Sequence, residues 1–538
     1  MCFHSYVHQP RDDVAPGFTH SRYGTHFGRH NTWWPQAGGF VEYLARCQYL
    51  LQKGRDVRDV LLLRHDDLEH NDFADYPNVP AGHKWDLLAV KQLLTATVEN
   101  RRIRLAAGGT YAALALPNRW SASVAVLKEL DELVQAGAVV VGPAPVATVG
   151  LMDLRNNLAE WNGLVKKLWN DASERKVQEA SLEEVLAQNG LKPDFEFESE
   201  NPSAKIEFIH RMDENFDAYF LTNQTGKPVM VGGRFRIGHR QPELWDAVTR
   251  KITKAKSFAV EDGRMLIPLS LDAGGSIFVV FRGAPNGKDA TWITYDAGNH
   301  LPNDATVATD DQALIAATPG EYVVTYVDGG EHRTTVEAIP TPVEATGPWQ
   351  VAFQAGRGAP ASITLERLAS LSTHADSGVK YFSGTATYST TLAIPQDKLG
   401  PDVRAYLDLG AVRDLAEVAI NGKPVGVVWT APFRVDVTEH LKPGENAVTV
   451  AVTNTWVNRM IGDEQIEPDV KYATDGSKFT IGRLAEFPSW FNDPAAVKAR
   501  KRISFPMWRH YEKDSPLLES GLIGPVTLRF ARVVAVGP

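Results

Sequence analysis

The sequence predicts a multidomain chain in which an α/β half is followed by an all-β half. Between residues 55 and 190, short apolar strands alternate with amphipathic helices. From about Ser203 the grammar changes to strands separated by glycine- and asparagine-bearing turns. A proline-rich stretch, AIPTPVEATGPW at residues 338–349, has the composition of a stiff linker into a final domain.

The first 55 residues read as strand, long loop and helix. If residues 3–8 are extended, His4, Tyr6 and His8 share one face, and Pro10 ends the strand. Phe40, Leu44, Cys47 and Leu51 recur at near-helical spacing, with Gly54 as the stop signal. Residues 57–63 predict a strand, 85–98 a helix and 111–116 another strand; Ser121 is the expected N-cap of a helix carrying Val124, Leu127, Leu130 and Val134, and residues 139–141 close the unit. That alternation predicts a parallel, flavodoxin-like sheet over residues 56–200. No G-x-G-x-x-G phosphate fingerprint accompanies it. Residues 201–340 predict a β-sandwich and residues 346–538 an antiparallel jelly roll, in which Asn421-Gly422 is placed to form a type I′ hairpin turn.

Composition excludes several classes. The chain carries 56 basic against 65 acidic residues, a net charge of −9 with no long basic run, so nucleic-acid binding has little electrostatic support. Two cysteines, Cys2 and Cys47, exclude a disulfide framework and any four-cysteine zinc site. There is no basic segment leading into an apolar signal core and no run of about 18 apolar residues, so neither export nor membrane anchoring is encoded in this sequence.

The chemistry concentrates at the N-terminus, where His4, His8, His20, His26 and His30 are five of the fifteen histidines. Interleaved with aromatics and few aliphatics, they suggest the rim of a polar pocket. His4 and His8 lack the glutamate of an H-E-x-x-H zinc site and any obvious third ligand, so no metal site is assigned. Asp66, Asp67, Glu69, Asp72 and Asp75 lack EF-hand spacing and read as a solvated acidic loop. Glu261-Asp262-Gly263 and Asp310-Asp311 read as turns. Trp349, Trp429 and Trp456 read as core residues rather than a sugar platform.

Several segments in order resemble the C-terminal half of glycoside hydrolase family 106, the α-L-rhamnosidases. They are HSYVHQP and YGTHFGRHNTWW at the start, YLARCQYLLQKG, IEFIHRMDENFDAYFLTN, FRIGHRQPELWD, KYFSGTATY, NTWVNRMIGDE and SGLIGPVTL. The final domain separately resembles the galactose-binding-like, family 2 sugar-binding jelly rolls. The resemblance implies that residues 1–55 are the last strand, loop and helix of a (β/α)8 catalytic barrel, whose catalytic face is the C-terminal end of its strands. It also implies inverting hydrolysis of terminal α-L-rhamnosides by a carboxylic acid and a separated carboxylate base. Both family glutamates fall upstream of Met1, so no catalytic residue is assigned here and the chain alone is expected to be inactive.

On the same basis His4, His8, Gln9, His26, Arg29, Trp33 and Trp34 are expected to bind substrate. The imidazoles, the amide and the guanidinium would meet hydroxyls, and one of the two indoles would meet the apolar face of a deoxysugar. The loop at residues 454–459 is expected to dock against the catalytic segment. The resemblance implies a rhamnose-containing glycan as partner and a periplasmic or extracellular location. No cofactor is evident, and calcium is conceivable only through residues upstream of Met1. A non-catalytic carbohydrate-binding accessory protein is the alternative reading.

Overall fold

The computed structural model describes residues 6–19, 23, 27–64, 75–170, 177–255, 257–284, 290–295, 306–307, 313–477 and 481–535. Strand Val60–Leu63 has all four residues buried, as a central parallel strand requires. It lies between Ala113–Ala115 and Trp85–Leu88, with Val139–Val141 beyond the former, and all three pairings are parallel. Leu61 and Leu63 pack with Leu127, Leu130 and Val134 of helix Val124–Gln135. Val60 and Leu62 point the other way, to Leu182, Val185 and Leu186 of helix Leu182–Gln188. One strand therefore feeds two cores, through its period of two.

Two local expectations change here. Residues 85–98 form a strand, a four-residue helix Val90–Leu93 and a strand Thr97–Glu99, in place of one helix. Pairing of Trp85 with Val60 in the buried sheet outweighs local helix preference, and β-branched Thr97 and Val98 suit the hairpin that follows. That hairpin turns through Asn100 and Arg101, both at positive φ (51° and 61°), as a two-residue type I′ turn demands. The cap of helix Val124–Gln135 is Ser123, whose Oγ accepts from the Val126 amide at 3.3 Å, whereas Ser121 lies in a short strand paired with Ala147.

The β-sandwich sets a four-stranded sheet against a six-stranded one. Tyr219, Leu221, Val279 and Phe281 face its core. Ala218, Phe278 and Val280, the alternate residues of the same strands, face Cys47 and Leu50 of helix Gly38–Leu51. The helix of the N-terminal segment thus lies on the outer face of the sandwich, and strand Arg55–Asp56 joins the six-stranded sheet as its edge.

The C-terminal core lies between two further six-stranded sheets, built on the antiparallel pairings of Thr385–Ile394 with Gly444–Thr453 and of Val403–Asp408 with Thr527–Ala535. Asn421 and Gly422 adopt the expected positive φ, 51° and 75°. Strand Ala313–Ala316, from the segment expected to belong to the preceding sandwich, pairs with Thr527–Ala535. The sheet therefore runs across position 340: sequence order separates these strands, while hydrogen bonding joins them. Among the described residues no helix is long and apolar enough to cross a membrane.

Candidate functional site

The N-terminal segment has little secondary structure of its own, and the C-terminal domain holds it in place. Pro16–Gly17 forms a two-residue parallel pairing with Phe505–Pro506. Arg11 donates from Nη1 to the Phe491 carbonyl at 2.8 Å. Thr32 Oγ1 donates to the Asn454 carbonyl at 2.5 Å, and the Trp456 indole donates to the His30 carbonyl at 2.7 Å. Trp456 is buried and the Arg357 guanidinium sits 4.3 Å above its ring. The loop at 454–459 docks as expected, but Trp456 serves the interface, and Trp429 does too, through Phe40 and Tyr43 at ring separations of 5.2 Å each. Trp349 alone of the three is a jelly-roll core residue.

A shallow surface depression lies in this segment, lined by Tyr6, Val7, Gln9, Phe27, Gly28, Arg29, His30 and Asn31. Its polar groups are tied to one another. Arg29 Nε donates to Asp12 at 2.7 Å, and that hydrogen bond, helped by His30, holds the Asp12 carboxyl below its ordinary range. Arg29 Nη2 reaches the Gln9 carbonyl at 3.3 Å.

Of the residues expected to bind sugar, His4 and His26 lie outside the described residues. His8 is exposed. Gln9 requires a correction: its amide donates to the Phe18 carbonyl at 2.7 Å and accepts from the Phe18 amide at 2.9 Å, like one rung of a β-ladder. Both ends of the side chain are consumed in closing the loop, which leaves it poorly suited to reading hydroxyls. Trp33 and Trp34 are both half-buried in one ring cluster, with Phe27 at 6.0 and 4.9 Å respectively, Tyr6 6.3 Å from Trp34 and Phe40 6.2 Å from Trp33. Neither indole is a detached platform.

His30 was not among the expected ligands, yet it is buried against the depression, with Nε2 3.5 Å from Asp12 and Nδ1 without a hydrogen-bond partner. Its signal in the sequence was the histidine enrichment itself. Among the described residues no group of three histidine, cysteine, aspartate or glutamate side chains is placed to hold a metal. Of the acidic stretch at 66–75 only Asp75 lies within the described residues, and Asp310-Asp311 lies outside them. Asp262 and Gly263 turn a hairpin at positive φ, as read from sequence.

A second polar constellation joins the parallel-sheet domain to the sandwich. Asp59 contacts His83 Nδ1 at 2.7 Å and a two-pronged Arg236 at 2.9 and 3.1 Å. Burial works to raise the Asp59 carboxyl, but His83 and Arg236 outweigh it and hold it down. Across Arg236, His210 sits between two carboxylates, with Nδ1 2.9 Å from Asp194 and Nε2 3.1 Å from Asp217. Burial opposes the imidazolium, yet the two carboxylates raise its pKa above the ordinary 6.5. All the carboxylates here are matched by cations, the signature of a structural joint rather than an acid/base pair.

The chain is similar to glycoside hydrolases. Residues 1–259 match the family model of glycoside hydrolase family 106, described as alpha-L-rhamnosidase, and residues 372–489 match the glycosyl hydrolase 2 galactose-binding domain-like model. The chain is similar to the solved rhamnosidase of Novosphingobium sp. PP1Y, at 32% identity and a TM-score of 0.75, over 98% of this chain and 44% of that one. It is also 28% identical to a protein of Formosa agariphila named as a putative beta-glucuronidase, over 98% of this chain and 60% of the relative. The chain therefore spans less than two thirds of either relative's length.

Proposed function

We propose that this chain forms part of an α-L-rhamnosidase that hydrolyses terminal α-L-rhamnosides with inversion, and that its N-terminal segment supplies one wall of the sugar site. The observation that carries the reading is the superposition on a rhamnosidase along nearly the whole chain. In this reading residues 1–55 are the closing strand, loop and helix of a (β/α)8 barrel, and residues 56–200 a flavodoxin-like companion. His4, His8, His26, Arg29 and the Trp33-Trp34 pair are the sugar-binding groups in this reading, of which His4 and His26 lie outside the described residues. The general acid and base come from the part of a longer polypeptide that corresponds to the unmatched portion of the relatives. The resemblance to glycoside hydrolase family 106 favours a periplasmic or extracellular location.

The test is release of nitrophenol from nitrophenyl α-L-rhamnoside and from the corresponding β-glucuronide, by this chain alone and by a chain extended to the length of the rhamnosidase relative. The expected result is background release by the chain alone and rhamnoside-selective turnover by the extended one. Each missing acid or base is worth roughly 10²- to 10⁴-fold, so substantial turnover by the chain alone would overturn the placement of the catalytic groups. Preference for the glucuronide would overturn the substrate.

A further inference from the structure

Large apolar side chains on the surface are concentrated in one place. Val146, Val149, Leu151, Met152, Leu154 and Leu158 are each 37–70% exposed, six within thirteen positions, while the other exposed apolar residues are scattered along the chain. Together the six present on the order of 600 Å², the upper end of what a soluble monomer leaves open and most of the ~800 Å² that one partner brings to a standard protein interface.

The segment that carries them is firmly held. Beyond strand Val139–Val141, the Val146 amide donates to the Trp120 carbonyl at 2.9 Å and Ala147 pairs with Ser121. Helix Leu151–Asn156 is pinned by Asp153, whose carboxylate accepts from the Val124 amide and from the Asn157 side chain, both at 2.9 Å. The next helix, Leu158–Val165, buries Trp161 in the core that holds Leu127 and Leu130, and the indole donates to the Ala122 carbonyl at 2.8 Å. With Asp153 turned inward, Leu151, Met152, Leu154 and Arg155 are left on the outer side of their helix.

Charge decides what can cover this face. Arg155 stands exposed within it and has no carboxylate partner among the described residues, whereas Lys128 and Lys167 on the supporting helices are paired with Glu160 at 2.8 Å and Asp131 at 2.6 Å. A second copy of the same face would set Arg155 against Arg155, a like-charge contact. An anionic lipid surface calls for a basic rim, which paired lysines in a chain of net charge −9 do not supply. The face suits a polypeptide surface that is apolar and carries a carboxylate at its middle.

The match to the rhamnosidase of Novosphingobium sp. PP1Y covers 44% of that protein, so more than half of it lies outside the match. A catalytic part that shares one sugar site with this chain has to be held to about 0.5 Å, which takes a packed interface and not a tether. We propose that the face at residues 146–158 is the docking surface for that catalytic part, through an apolar surface with a carboxylate set against Arg155. The proposal rests on the rhamnosidase reading, and its test separates the two.

The experiment compares hydrogen exchange over residues 142–165, read by mass spectrometry, in this chain alone and in the chain extended to the length of the rhamnosidase relative. It is repeated with Leu151→Glu/Met152→Glu and with Arg155→Glu. Because these side chains are exposed, the variants of the chain alone should keep the wild-type unfolding midpoint. The expected result is exchange slowed about 10-fold or more in the extended chain, with that protection lost in both variants. Rhamnoside turnover by an extended chain whose exchange matches that of the chain alone would overturn the docking and leave the rhamnosidase reading standing. Protection without rhamnoside turnover would do the reverse, and absence of both would overturn both. A dimer of this chain that Leu151→Glu/Met152→Glu separates in sedimentation would assign the face to a second copy and overturn the proposal. Binding to phosphatidylglycerol vesicles that the same variant abolishes would overturn it in favour of a membrane.

Discussion

Replacing His210 by glutamine tests the joint between the parallel-sheet domain and the sandwich. Both ring nitrogens face carboxylates, Asp194 on one side and Asp217 on the other, so neither needs to act as an acceptor and the doubly protonated ring is the matched state. Tyr219 stacks on the ring at 3.8 Å and gives its hydroxyl to Asp194, while Arg236 and Arg240 close the network behind the two carboxylates. A glutamine offers donors to one carboxylate only and turns its oxygen toward the other. Breaking a buried ion pair typically costs about 3–5 kcal/mol, and the partners retained by Asp194 and Asp217 put this case near the lower end, at roughly 3 kcal/mol.

The effect carries a pH signature. The folded pKa of His210 lies above its ordinary 6.5, so the stabilisation is fully present below 6.5 and is lost as pH rises through the folded value. Urea unfolding of the wild-type chain, followed by tyrosine and tryptophan fluorescence from pH 6 to 9, should show stability falling over that range more steeply than in His210→Gln. The two curves should converge at high pH. Parallel curves, or a penalty below about 1 kcal/mol at pH 6, would refute the assignment of a buried imidazolium.

Three further outcomes follow from the same geometry. Trp456→Ala removes a buried indole and its hydrogen bond to His30, which should cost about 3–5 kcal/mol and raise amide exchange across residues 27–37, measured by mass spectrometry. Gln9→Ala breaks both bonds to Phe18 and should destabilise the loop by about 1–3 kcal/mol, read as faster proteolytic cleavage between residues 9 and 18 with the global unfolding midpoint unchanged. Gly521→Ala should fail to give a folded jelly roll by circular dichroism, because the position has φ +88° and a Cβ there would lie 2.3 Å from the Tyr388 hydroxyl and 2.9 Å from Leu371.

Much of the fold was legible because burial imposes period and length. Val60–Leu63 reads as a doubly covered strand from four apolar residues alone, and Asn421-Gly422 announces its turn by its tolerance of positive φ. Residues 85–98 were misread because an apolar run without clear alternation suits either period, and a partner strand twenty-five residues upstream decided the matter. The charged joint left a signal that went unread. His210 is in phase with the inward-facing Ile206 and Phe208, and Asp217 with Tyr219 and Leu221, so each puts a titratable group at a core position of its strand. Only the pairing of those strands with each other and the approach of Arg236 reveal that the charges cancel. In the N-terminal segment Gln9 is spent on Phe18, and a side chain that closes a loop by mimicking backbone looks the same, in sequence, as one that reads hydroxyls.

The N-terminal loop also explains why its ordering depends on a domain several hundred residues away. Residues 6–37 contain, among the described residues, a two-residue strand and short 3-10 turns, far too few internal hydrogen bonds to offset roughly 1–2 kcal/mol of backbone entropy per ordered residue. The contacts that hold it are made at intervals along its length: Arg11 to Phe491, Pro16–Gly17 to Phe505–Pro506, His30 and Thr32 to the 454–456 turn, and Phe40 to Trp429. Each reaches a different part of the C-terminal domain, so a shift of that domain displaces the whole loop rather than one residue of it. The galactose-binding-like domain is therefore a template for the N-terminal loop, and its interface tryptophans, Trp429 and Trp456, act through the loop they anchor.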